Sequence, residues 1–79
     1  PVSFMANVHC AAETENFLSL EHHSVDVPWW EDLVNGEKPL FSKGFANVPS
    51  APGLGVTLND DVVKQHLLEP GYFEPTPYW

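Results

Sequence analysis

Positive charge is scarce in this sequence. Three Lys and Arg residues stand against eleven Asp and Glu, a formal net charge of -8 over 79 residues. So little basic surface cannot neutralise a row of phosphates, and no nucleic-acid partner is expected. Acidic peptides are disfavoured on the same ground. Cysteine is nearly absent as well: Cys10 has no second thiol, so a disulfide scaffold is excluded. A lone thiol in a helical context reads as a small buried residue in a reducing, cytoplasmic compartment. No apolar run approaches the roughly 20 residues of a membrane span, and the first residues lack the basic-then-apolar order of a signal peptide. No membrane partner is expected either. Internal repeats and low-complexity tracts are missing too.

Aromatic surface, by contrast, is in excess. Three Trp, five Phe and two Tyr are spread over loops and ends as well as over regular elements. Each buries roughly 150–250 Å² when covered, and a domain of this size buries only about 60% of the surface its unfolded chain exposes. Much of that surface is therefore expected to be covered by something outside the sequence, which makes the chain a fragment or an obligate partner. The acidic balance fits a soluble surface or basic neighbours in a larger assembly, and composition does not choose between them.

Along the chain, Phe4, Met5, Val8, Ala11 and Ala12 fall on one stripe of a helix, with Ser3 as its N-cap. The small residues Ala6, Cys10, Ala11 and Ala12 let this helix lie close to a neighbour. His9, beside the stripe, has only Glu13 at helical spacing and reads as a packed or surface histidine rather than a metal ligand. A polar break, Thr14-Glu15-Asn16, precedes the compact run Phe17-Leu18-Ser19-Leu20-Glu21, which reads as a short strand. One helix and one strand cannot complete a parallel sheet on their own. A helix of about two turns follows, capped by Asp26, opened by Pro28 and stopped by Asn35-Gly36. Trp29, Trp30, Leu33 and Val34 form its buried side, and since two adjacent tryptophans cannot face one way, one should cover a cavity or a partner. Residues 37–48 read as a hairpin turning at Ser42-Lys43-Gly44, and residues 49–56 as a Pro- and Gly-rich loop. Gly53-Leu54-Gly55 lacks the third glycine and the helix of a nucleotide fingerprint. Asn59 caps a last helix over residues 60–68, and the tail, with prolines at 70, 75 and 77, cannot be helical and is aromatic enough to dock on a surface.

Glu21 is the residue that needs explaining. In a strand, Phe17, Ser19, Glu21 and His23 share one face while Leu18, Leu20 and His22 share the other. A carboxylate on an inner face is costly unless it is paired, bound to a cation or used. The residues alone leave two roles open: a catalytic one, or a structural one in which Glu21 caps a helix or pairs with an arginine. His22, His23 and Asp26 form the densest metal-type cluster, but adjacent histidines on a strand point to opposite faces, so no metal site is expected within the chain. His9 and Cys10, neighbours on a helix, do not face each other as a base and nucleophile would.

With these residues in view, the sequence resembles the C-terminal end of enolase-superfamily enzymes, in the mandelate racemase and muconate lactonizing group, and most of all its acid-sugar dehydratases. The resemblance is carried by Val8-His9-Cys10-Ala11-Ala12, Asn16-Phe17-Leu18-Ser19-Leu20-Glu21, Asp26-Val27-Pro28-Trp29-Trp30-Glu31-Asp32-Leu33, Ala51-Pro52-Gly53-Leu54-Gly55-Val56 and Asn59-Asp60-Asp61-Val62-Val63. It implies an α/β fold: residues 1–36 as the last helix and strand of a (β/α) TIM-like barrel with a short helix, and residues 37–79 as a return segment to an α+β capping domain. It also implies a Mg²⁺-dependent enzyme whose metal ligands lie on middle strands outside this chain. The family's His base would fall just before Pro1. Glu21 matches the glutamate ending the eighth strand, which hydrogen-bonds the substrate carboxylate and stabilises the enediolate, at the end of a barrel strand where such enzymes carry their sites. His23, on the same face, and Trp30 are the candidate substrate contacts. The implied activity is a carbohydrate-acid hydro-lyase, inactive as the 79-residue chain alone and partnered by the N-terminal remainder of the enzyme in a homo-oligomer. A racemase or cycloisomerase of the same superfamily, or an acidic interaction module without enzymatic activity, are the alternatives.

Overall fold

The computed structural model describes residues 1–69. The first element is the helix α1, Val2–Ala12, which buries Met5 and Val8. The expected stripe is thus the face that packs. The helix begins two residues earlier than Ser3 would set it, with Pro1 at the N-cap and its carbonyl accepting the Met5 N–H at 3.0 Å. At the other end the Thr14 hydroxyl donates to the Cys10 carbonyl at 2.7 Å, satisfying one of the carbonyls that a helix terminus leaves free. Cys10 is exposed, not buried as expected. It stands two residues past Val8, about 200° around a 3.6-residue helix, and so points away from the packed stripe.

Four short strands follow: β1 Val34–Gly36, β2 Phe41–Ser42, β3 Phe45–Ala46 and β4 Val56–Leu58. They form two antiparallel pairs, β1 with β4 and β2 with β3. In the first pair Val34 lies opposite Leu58 and Gly36 opposite Val56; in the second, Phe41 lies opposite Ala46. The β2–β3 hairpin is the expected one. Its two loop residues, Lys43 and Gly44, have φ of 53° and 82°, and two successive positive φ values match the strand twist of a tight hairpin. Gly55, at φ 78°, passes so close to Pro49 that a Cβ there would overlap the proline ring. The last element is α2, Asp60–Gln65, with Asn59 at its N-cap and Asp60 and Asp61 in its first turn. It ends three residues short of the expected Leu68, and the aromatic tail lies outside the described residues. No helix among the described residues is long and apolar enough to cross a membrane.

Two expected elements do not form. Residues 17–21 carry no strand. A strand needs neighbours for its backbone N–H and C=O groups, and the strands of this chain are paired with one another, so that segment has no sheet to join. The two-turn helix from Asp26 is replaced by turns and a 3₁₀ turn, Glu31–Leu33. Trp30 N–H bonds Val27 O, Asp32 N–H bonds Trp29 O and Leu33 N–H bonds Trp30 O, all at the tighter i to i−3 spacing. Val27 precedes Pro28, which disfavours the α conformation, and the chain leaves the turn at Val34 in extended form. Val34 is therefore buried as a strand residue, not as a helical one.

Met5, Val8, Val34 and Leu40 make the core, with Phe4, Leu20, Trp30, Phe41, Ala46, Leu54 and Val56 packed around it. Two polar contacts lock its edges. His9 Nε2 lies 3.1 Å from the Leu54 carbonyl and ties α1 to the loop before β4. The Leu40 N–H donates to Glu31 Oε1 at 2.8 Å, beside a side chain that is itself buried. Removing the acceptor leaves that N–H unsatisfied, so Glu31→Ala should cost about 1–3 kcal/mol. Glu31→Gln keeps an acceptor oxygen and should cost less; urea denaturation midpoints of the two variants in the complete enzyme check the order.

Candidate functional site

The segment from Leu20 to Val25 gathers the chemistry. It has no ladder to hold it, yet its side chains still sort by alternation. Leu20 packs against the core and His22 is half-buried, while Glu21 and His23 face solvent. The Glu21 and His23 side chains are 89% and 86% exposed, with Oε2 and Nε2 3.8 Å apart. An ion pair so open to water adds little, because solvent and salt screen it. Their proximity does present a carboxylate and an imidazole side by side. His22, between them in sequence, turns inward among Phe4, Trp30 and Phe41. The two histidines thus lie on opposite sides of the backbone.

The tryptophans part company as well. Trp30 is half-buried in that aromatic cluster, whereas Trp29 stacks on His66 just past α2, with ring centroids 3.7 Å apart and planes within 8°. Between α1, the 17–25 segment and the β2–β3 hairpin runs an open groove of about 650 Å³, walled by Val8, Ala12, Phe17, Leu20, Phe41 and Phe45. Leu18 is 95% exposed and Phe45 79%. Apolar residues left this bare in a contiguous patch mark a surface that another surface covers.

Comparison with known proteins decides the family. The family model described as "Enolase C-terminal domain-like" matches residues 1–62. The chain belongs to that family. It is similar to the D-xylonate dehydratase of Haloferax volcanii, 45% identical over 69 residues, which is 87% of this chain and 16% of the relative. It is also similar to the D-gluconate dehydratase of Thermoproteus tenax, 31% identical over 70 residues, 89% of this chain and 14% of the relative. The chain thus spans 16% and 14% of the length of these curated relatives. No solved structure matches it.

The family implies magnesium, but the residues here do not fit that ion on their own. Among the described residues no group of three or more His, Cys, Asp or Glu converges as a metal site. Sequence reasoning placed Glu21 and His23 together and missed what holds them. The signal was present in Phe4, His22, Trp30 and Phe41, but their convergence depends on tertiary packing across four segments. Glu31, in the first turn of the 3₁₀ helix, also accepts the Leu40 N–H. Because neither Glu21 nor His23 ties one element of this chain to another, Glu21→Ala and His23→Ala should change the melting temperature of the whole protein little in calorimetry. A clear drop for Glu21→Ala would mark it as structural.

Proposed function

We propose that this chain is the C-terminal portion of an acid-sugar dehydratase, a hydro-lyase acting on a D-sugar acid of the xylonate or gluconate kind. The observation that carries the reading is the 45% identity over 87% of the chain to a D-xylonate dehydratase. Both relatives named above are dehydratases, which favours loss of water over racemisation or cycloisomerisation. In this reading residues 1–36 belong to the last barrel unit and residues 37–79 to the return segment toward a capping domain. The enzyme works in the cytoplasm, where the exposed thiol of Cys10 stays reduced.

The reaction removes the proton next to the substrate's carboxylate, passes through an enediolate and expels a hydroxyl group as water. Glu21 is the catalytic residue contributed by this chain. It donates a hydrogen bond to the substrate carboxylate as negative charge grows there, a contribution realised in the transition state more than in the bound substrate. To donate, the carboxyl group must carry its proton in the bound complex. His23, beside Glu21, and the uncovered part of Trp30 contact substrate hydroxyls. Magnesium, which finds no ligand set among the described residues, belongs to the remainder of the enzyme, and the role of Glu21 does not run through it.

The groove supports the need for a larger body. Phe17, Leu18, Val25, Phe45 and Val48 are all exposed along or beside it, and the N-terminal remainder of the enzyme is the surface proposed to cover them, within a homo-oligomer. Expressed by itself, the 79-residue chain should show weak near-UV circular dichroism and no cooperative melt, and it should be inactive. A cooperatively folded monomer would overturn the partner requirement.

The catalytic assignment has its own test. Glu21→Ala in the complete enzyme should bind substrate nearly normally while kcat falls by about 10²–10³, or roughly 2.7–4 kcal/mol, the usual loss of one preorganised donor. An amide still donates, so Glu21→Gln should lose less. His23→Ala should raise KM more than it lowers kcat. Wild-type kcat in a folded Glu21→Ala enzyme would sink the assignment.

A further inference from the structure

His22 stands between the two exposed residues of the candidate site and is gripped from three directions. Its ring centroid lies 5.0 Å from Phe4 of α1, 4.5 Å from Trp30 ahead of the 3₁₀ turn and 4.5 Å from Phe41 of β2. Those three rings also touch one another, at 5.4, 5.7 and 6.0 Å, so the cluster closes around the imidazole. The interplanar angles of 58–76° across the cluster are the tilted and edge-on geometries that aromatic pairs prefer. His22 Nε2 is buried and has no hydrogen-bond partner among the described residues. Ring faces and edges make the grip, not a hydrogen bond.

Within this chain the grip has no competitor: among the described residues no helix or strand covers residues 15–26, so the chain's own ladders do not fix the direction in which Glu21 and His23 leave the backbone. In extended backbone a side chain held inward sends its two neighbours outward. The anchored ring at position 22 accordingly sets Glu21 and His23 on one side, 3.8 Å apart. Phe4, Trp30 and Phe41 come from separate elements, so the cluster refers the position of Glu21 to α1, the 3₁₀ turn and the hairpin together.

We infer that His22 is a positioning residue: its ring, wedged among Phe4, Trp30 and Phe41, fixes where the Glu21 carboxyl and the His23 imidazole stand relative to the substrate. This rests on the role proposed for Glu21. It assigns His22 no contact with substrate and no proton transfer.

The test uses the complete enzyme that carries this chain. His22→Leu keeps apolar volume but removes the flat ring, and His22→Phe keeps the ring without its nitrogens. A displacement of about 1 Å at a catalytic group is enough to cost up to roughly 10²-fold, so His22→Leu should lower kcat by about 10- to 100-fold while KM stays within about threefold. His22→Phe should remain within about threefold of wild type in both constants. Introduced into Glu21→Ala, His22→Leu should cost little more, because residues acting through one another are not additive. Should His22→Leu fail to fold, His22→Met carries the same expectation. Wild-type kcat in folded His22→Leu, an equal loss in His22→Phe, or additive losses in the double variant would each overturn the inference. A drop in Glu21→Ala with no drop in His22→Leu overturns the positioning role alone. Wild-type kcat in folded Glu21→Ala overturns the role of Glu21 and this inference with it.

Discussion

The packing of Met5 and Val8 of α1 against Val34 and Leu40 is the contact on which the rest of the chain depends. Val34 is completely buried, and it opens β1, so the same contact fixes where β4 pairs. Leu40 precedes the hairpin and donates its N–H to Glu31 in the 3₁₀ turn. From one apolar cluster, then, come the placement of α1, both strand pairs and the 3₁₀ turn. Four buried side chains are a small core for 69 described residues. A domain near this size stands close to the limit at which a single core offsets the loss of conformational entropy. Polar ties such as His9 to Leu54 and Glu31 to Leu40 therefore matter more than they would in a larger body.

What could be read from the sequence divides along physical lines. The stripe of α1 was legible because its period is local and its packed residues face one way. The hairpin was legible because Ser42-Lys43-Gly44 names its own turn. Asn59 marked the start of α2 for the same reason. Residues 17–21 were different: a strand is defined by its neighbour, and the composition of Phe17-Leu18-Ser19-Leu20 speaks of strand without supplying one. The segment after Asp26 had every helix-start signal, yet Val27-Pro28 tightened it into a 3₁₀ turn. Cys10 was assigned by residue type when its helical phase relative to Val8 decided the matter. Sequence resemblance, which averages over such local competition, pointed to the family that the family model also identifies.

Apart from Trp29, stacked on His66, the aromatic residues among the described residues have two destinations. Phe4, Trp30 and Phe41 are spent inside, around His22. Phe17 and Phe45 remain on the wall of the groove. The first group is what a small core does with rings: tilted contacts hold several elements at once. The second group has no such use within the described residues, and exposed rings of that size carry a standing hydration cost. The relatives that share this sequence are several times longer, since the chain accounts for only 16% and 14% of their lengths. Apolar surface that a short chain leaves bare is what a longer one has the means to cover.

The candidate site also shows that side-chain partition does not require a sheet. The alternation that sent Leu20 and His22 inward and Glu21 and His23 outward persists although no strand forms there. Two conditions suffice: a backbone extended enough for successive side chains to oppose one another, and an apolar sink on one side. The core and the aromatic cluster supply the sink. Hydrogen-bonded neighbours would add rigidity and a defined depth, but they would not change which residues point where. Glu21 and His23 do share one face without the strand from which that was argued, but the face is the solvent side of this chain and not the inner one expected for Glu21.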